Sequence, residues 1–276
     1  MAHSIGIEFI SVLGMPPDEH VHLAADLGCQ HIGLALAPFT PNPHHYPAWS
    51  LLTDSGLRRA TLRALRERGV SISLGEGFLI HPGAHVRDCA AELEVMRELG
   101  VRRINTVCIE PDRNRLHDQL TMLVDMAAAL NMETTLEYIP ILPIANLPMA
   151  LEVIRHVGRP GLRLLIDTMH FVRAGGQAED LAALDPALIG YVQVCDVPLA
   201  FTLQGYGDEA KCERMVPGTG ELPLQSIIEA LPGDMLLGLE VPMLKAAEAG
   251  VDPHTRLGQC VDATRRLLAR IEQRSH

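Results

Sequence analysis

The chain of 276 residues is poor in lysine, with only Lys211 and Lys245, and its net charge is −11. A nucleic-acid binder needs a positive field, and none is offered overall. The same balance disfavours docking to anionic membranes. No run approaches the roughly 20 apolar residues of a membrane span. The start, "MAHSIGIEFISVLG", is apolar but lacks a basic leader and carries Glu8, so it reads as a first strand rather than a signal peptide. None of the six cysteines lies in a Cys-x-x-Cys pair, and most sit in apolar runs. They read as reduced, buried thiols of a cytoplasmic protein. No Gly-rich dinucleotide turn follows the first strand, since "SVLGMPPDE" is not one. Neither lysine stands at a strand end, which excludes Schiff-base chemistry.

What the chain does contain is alternation. Hydrophobic residues make up 47% of it, enough for a sizeable core. Strand-like runs appear near 5–12 and at 31–37, 71–78, 103–110, 133–139, 162–168, 188–196 and 235–241. Between them lie amphipathic stretches such as "TDSGLRRATLRALRERG", opening on cap-type residues and closing on arginine and glycine. Alternating β and α units imply a parallel sheet. This many in one uninterrupted chain predicts an α/β fold of one domain over residues 1–276, a single (β/α)8 TIM barrel. A segment from Val197 to about Glu221 is the longest strand-to-helix connection and is expected to be an active-site loop.

Barrel enzymes place their chemistry at the C-terminal ends of the strands. Those ends carry Glu76, Glu110, Glu137, Asp167 with His170 beyond it, Gln193 with Asp196, and Glu240. Any one of these alone reads as a solvated loop residue. Four consecutive strands presenting a carboxylate or amide at one level are different, because converging negative charges repel unless a cation sits among them. A divalent metal is the simplest such cation. The same argument addresses "LRLLIDTMHFVRAGG", an apolar run that ends in Asp167 and His170. A carboxylate there needs a cleft or a permanent partner.

"LLIDTMHFVRAGG", "IGYVQVCD", "PGTGELPL" and "GLEVP", in this order and spacing, resemble segments of the xylose-isomerase-like TIM barrels. These form the sugar phosphate isomerase/epimerase group, with inosose isomerases and dehydratases, ketose 3-epimerases and 3-dehydroshikimate dehydratases. The resemblance covers nearly the full chain. It implies a metal held by Glu137, Asp167, position 193 and Glu240. The chain departs from the pattern at 193, where glutamine replaces the usual histidine. Either the Gln193 amide oxygen completes an all-oxygen site, favouring Mn²⁺ or Mg²⁺ over Zn²⁺, or the site binds metal weakly or not at all. The resemblance further implies substrate contacts from His170 and from Arg214 on the long loop. Glu76 and Glu110 are substrate-binding acids or solvated ones. Trp49, in "APFTPNPHHYPAWSLLTD", either packs a surface loop or walls the barrel mouth. Abasic-site endonucleases share the fold, but their histidine-rich ligands and basic surfaces are missing here.

The expected activity is a metal-dependent isomerisation or epimerisation of a small ketose or polyol ketone through an enediolate. Glu137 and Glu240 would act as acid and base. The alternatives are a dehydratase of inosose or 3-dehydroshikimate type and a ligand-binding barrel without catalysis. The partner is then a small molecule, with no nucleic acid or membrane, for a chain acting alone or as a homo-oligomer.

Overall fold

The computed structural model describes residues 3–274. Eight strands close into one parallel barrel in sequence order. They are β1 (Ser4–Ile7), β2 (His31–Leu34), β3 (Ser71–Ile80), β4 (Arg103–Cys108), β5 (Glu133–Glu137), β6 (Leu162–Asp167), β7 (Ile189–Val194) and β8 (Leu236–Leu239). β1 pairs with both β2 and β8, which is the closure. Helices fill the connections, and the main core lies between them and the outer faces of the strands. The expected cap chemistry is present. Asp54 accepts the Leu57 amide at 3.0 Å to open the helix Ser55–Arg68, and Gly69 closes it in the left-handed region at φ 64°. No helix among the described residues is long and apolar enough to cross a membrane. All six cysteines are free thiols.

The first strand is shorter than its apolar run predicts. "IGIEFISV" leaves the sheet after Ile7, and Phe9–Val12 form a buried 3-10 turn. The Glu8 amide makes a last ladder bond to the Leu239 carbonyl at 3.0 Å. Beyond it a side chain takes over: Ser11 Oγ donates to the same carbonyl at 2.9 Å and accepts the Val241 amide at 2.8 Å. The backbone polar groups stay paired while the chain turns inward.

Inside the barrel a small apolar layer of Leu74, Leu165 and Tyr191 lies apart from the main core. Next to it sits the fully buried carboxylate of Glu8, which accepts the Tyr191 hydroxyl at 2.6 Å. Ser73 Oγ meets the same hydroxyl at 2.9 Å. Two glycines make the room. A Cβ at Gly33 would stand 2.0 Å from Glu8 Oε2, and one at Gly238 would stand 1.9 Å from Glu8 Oε1. Overpacking of this kind typically costs about 1–3 kcal/mol. Gly238→Ala is therefore expected to destabilise by about that much, with a smaller penalty when Glu8→Ala is already present. Urea unfolding of the double-mutant cycle reads this; equal penalties in both backgrounds would place the strain elsewhere.

His20, on the helix Pro17–Asp26, is buried with neither ring nitrogen in a hydrogen bond of normal geometry. Burial lowers its pKa from 6.5 to about 3, with the Ile7 carbonyl opposing only partly. The folded ring stays neutral while the unfolded ring takes up a proton, so stability falls as pH drops below about 6.5. His20→Leu is expected to flatten this acid limb by up to about 1.4 kcal/mol per pH unit, as measured by urea unfolding between pH 6.5 and pH 4. An unchanged limb would show that His20 does not contribute.

Candidate active site

The strand ends bring Glu137, Asp167, His170 and Glu240 to one mouth of the barrel. Each is less than one-tenth exposed. β6 ends at Asp167, whose side chain caps the short helix Thr168–Arg173 by accepting the His170 amide at 2.9 Å. That cap fixes the three-residue spacing read in the sequence, and it turns the imidazole back over the barrel. His170 Nε2 stands 3.4 Å from Glu137 Oε1, and its Nδ1 meets the Tyr206 hydroxyl at 2.7 Å. Tyr206 lies in a short helix, Tyr206–Cys212, inside the long loop after β7. Asn105, inward on β4, donates to Glu137 Oε2 at 2.7 Å and is itself steadied by Thr135 Oγ1 at 3.1 Å.

Asp167 has a partner, and it is Arg214. The guanidinium bonds Asp167 Oδ2 through Nη1 and stands 2.8 Å from Glu240 Oε2 through Nη2. The two carboxylates share it unequally. Burial works against the Asp167 anion, but Arg214 above all, then His170 and a hydrogen bond with Glu240, outweigh burial and hold its pKa well below the usual range. Glu240 is pushed well above its ordinary value by burial, against the pull of Arg214, with Asp167 and Glu137 adding repulsion. Glu137 is raised to about 8 by burial and by the Asp167 charge. Burial lowers His170 to about 4, although Asp167 pulls the other way. The mouth thus holds one firm anion, two carboxyl groups inclined to keep protons, and a neutral imidazole.

One ligand atom each from Glu137, Asp167 and His170 lies within 4.8 Å of the others, a span that a single divalent ion can bridge. The donors suit such an ion: two carboxylates and an imidazole whose far nitrogen is held by Tyr206. Gln193 is the last-but-one residue of β7. Its amide is fully buried, has no hydrogen bond of normal geometry among the described residues, and faces Glu8, whose ionised form it favours. Glu8 is raised to about 7 by burial, and Glu76 is pushed well above its ordinary value by burial and by Glu8 beside it.

The remaining sequence candidates have other surroundings. Glu110 is 3% exposed rather than solvated, and it receives Arg115 at 2.7 Å and the Asp112 amide at 3.1 Å, at the start of the helix Arg113–Ala129. Trp49 donates to the Gly14 carbonyl at 3.0 Å and packs edge-on to Phe9 at 6.1 Å. Asp196 organises the long loop by accepting the amides of Val197, Gly218 and Leu222. Sequence reasoning passed over Glu8, Asn105 and Tyr206. A lone carboxylate in "IGIEF" and an amide in "RINTVC" were available signals, because each interrupts a buried strand. Nothing local to Tyr206 marks it.

Comparison with known proteins agrees with this fold. The IolI protein, solved with a bound zinc atom, superposes with a TM-score of 0.79 at 16% identity, over 97% of this chain and 99% of that one. A probable 3-DHS dehydratase, AsbF, involved in petrobactin synthesis, from Bacillus anthracis, gives 0.76 at 16% identity over 95% and 98%. An L-ribulose 3-epimerase gives 0.73 at 15% identity over 99% and 97%. At these identities the likeness concerns the fold. An inosose isomerase from Bacillus velezensis is 27% identical over 152 residues, 50% of this chain. The match spans about half of that relative's length, 52%. The chain belongs to the xylose isomerase-like TIM barrel family, whose sequence model it matches from residue 21 to residue 264.

Proposed function

We propose that the protein is a metal-dependent isomerase or epimerase of a small ketose or polyol ketone, with Glu137 and Glu240 as its acid–base pair. The observation that carries this reading is the group formed by Glu137, Asp167 and His170, with ligand atoms within 4.8 Å of one another at the barrel mouth. These three would hold the ion, and their mixed oxygen and nitrogen donors suit Mn²⁺ and Zn²⁺ alike. A bound divalent ion supplies the positive charge that acidifies a carbon-bound proton beside a carbonyl.

The residues divide the remaining work. Glu137, buried at the barrel mouth beside Asp167 and His170, is placed to take the proton. Asn105 fixes one of its oxygens and leaves the other toward His170. Glu240, inclined to keep its proton, is suited to return one. His170, neutral and held by Tyr206, can meet a substrate oxygen or the ion. Return of the proton to the neighbouring carbon is isomerisation; return to the opposite face is epimerisation.

The test is exchange of a substrate carbon-bound proton with solvent deuterium, scanned over ketoses, inososes and 3-dehydroshikimate with Mn²⁺ occupancy measured in parallel. Glu137→Gln and Glu240→Gln are each expected to lower exchange by roughly 10²–10⁴. Exchange surviving in both at full occupancy would remove the two-glutamate mechanism. Loss of water in place of exchange would move the protein to the lyases.

A further inference from the structure

Arg214 is held on every edge. It is 4% exposed. Nη1 and Nη2 go to Asp167 and Glu240, Nε donates to the Ala210 carbonyl at 2.7 Å, and Nη1 also lies 3.4 Å from Cys195 Sγ. Its backbone is equally fixed. The Arg214 amide donates to the Pro242 carbonyl at 2.8 Å, just past β8. The next residue, Met215, exchanges two backbone bonds with Asp196, just past β7, at 2.7 and 3.1 Å. The chain thus pins this arginine between the ends of two strands and seats its guanidinium between the carboxylates of β6 and of the residue after β8. That is a built ion-pair site, not a side chain in open space.

The same seat conflicts with a metal. A divalent ion bridging Glu137, Asp167 and His170 needs an oxygen of Asp167. One of these oxygens accepts the His170 amide and the other accepts Arg214. Two positive groups on one small carboxylate repel each other, and little water reaches the site to screen them.

We propose that Arg214 is a resident counter-cation that competes with a divalent ion for Asp167, so that metal loading requires the guanidinium to release that carboxylate. The proposal rests on the reading of Glu137, Asp167 and His170 as the metal group. Apparent metal affinity is then the intrinsic affinity scaled by the fraction of molecules in which Asp167 is free.

The experiment is calorimetric titration of the full chain with Mn²⁺ alone, comparing the natural protein with Arg214→Met. The variant is expected to bind about tenfold more tightly or better. Binding in the variant, with none in the natural chain, would support the competition while removing the metal-dependent reading of the natural protein. Equal or weaker binding in the variant would overturn the proposal, as would no binding in either. If Arg214→Met folds only once Mn²⁺ is added, the ion has taken over the role of the guanidinium, which supports the proposal. If it does not fold even then, Arg214→Lys decides. A lysine is a point charge that cannot fork across two carboxylates, so tighter Mn²⁺ binding than in the natural chain is expected, and unchanged or weaker binding would overturn the proposal.

Discussion

The buried pairing of Arg214 with Asp167 and Glu240 is the interaction on which the mouth of this barrel depends. Three carboxylates, Glu137, Asp167 and Glu240, are drawn together there and removed from water. Burying such charges costs several kcal/mol each unless they are paired or protonated. The site uses both remedies. Asp167 keeps its charge because a guanidinium and a backbone amide stand on its two oxygens. Glu137 and Glu240 are inclined to keep protons chiefly because they are buried, with neighbouring carboxylates adding to the effect. Arg214 pulls both the other way without overcoming burial.

The long loop after β7 carries much of this arrangement. It delivers Tyr206 to His170 and Arg214 to the two carboxylates. Asp196 ties its two ends together by accepting three backbone amides. Arg173 holds the middle, pairing with Glu209 at 2.8 Å and donating to the Pro198 carbonyl at 2.8 Å. A single segment thus governs both the tautomer of the imidazole and the charge on the acids. Elsewhere the scaffold is rigid. Parallel strands, buried on both sides, leave the ends of β5 to β8 little freedom to drift.

Much of this was legible in the sequence, because strands buried on both faces read as apolar runs and their C-terminal polar residues stand out. Asp167, His170, Glu137 and Glu240 were all visible in that way, as was the barrel itself. The boundary of β1 was not visible: Phe9, Ile10 and Val12 are as apolar as a strand, and only the side-chain bonds of Ser11 reveal the turn. Arg214 was visible as a loop arginine, but not as the partner of Asp167, since they lie 47 residues apart and meet only through the fold. Glu110 was expected to face substrate or solvent, and Arg115 five residues on supplies a third answer.

Glu8 has a consequence for how this sequence can change over time. Its carboxylate fills space that Gly33 on β2 and Gly238 on β8 leave open. The three positions are distant in the chain, yet no one of them can drift alone. A larger residue at either glycine collides with the acid, while loss of the acid takes one of the Tyr191 hydroxyl's two partners and leaves a void. Relatives that keep a glutamate just past β1 should therefore keep both glycines, and those that replace it should show side chains at the two glycine positions together. The three residues form one unit of inheritance, written across three distant stretches of the chain and readable as covariation.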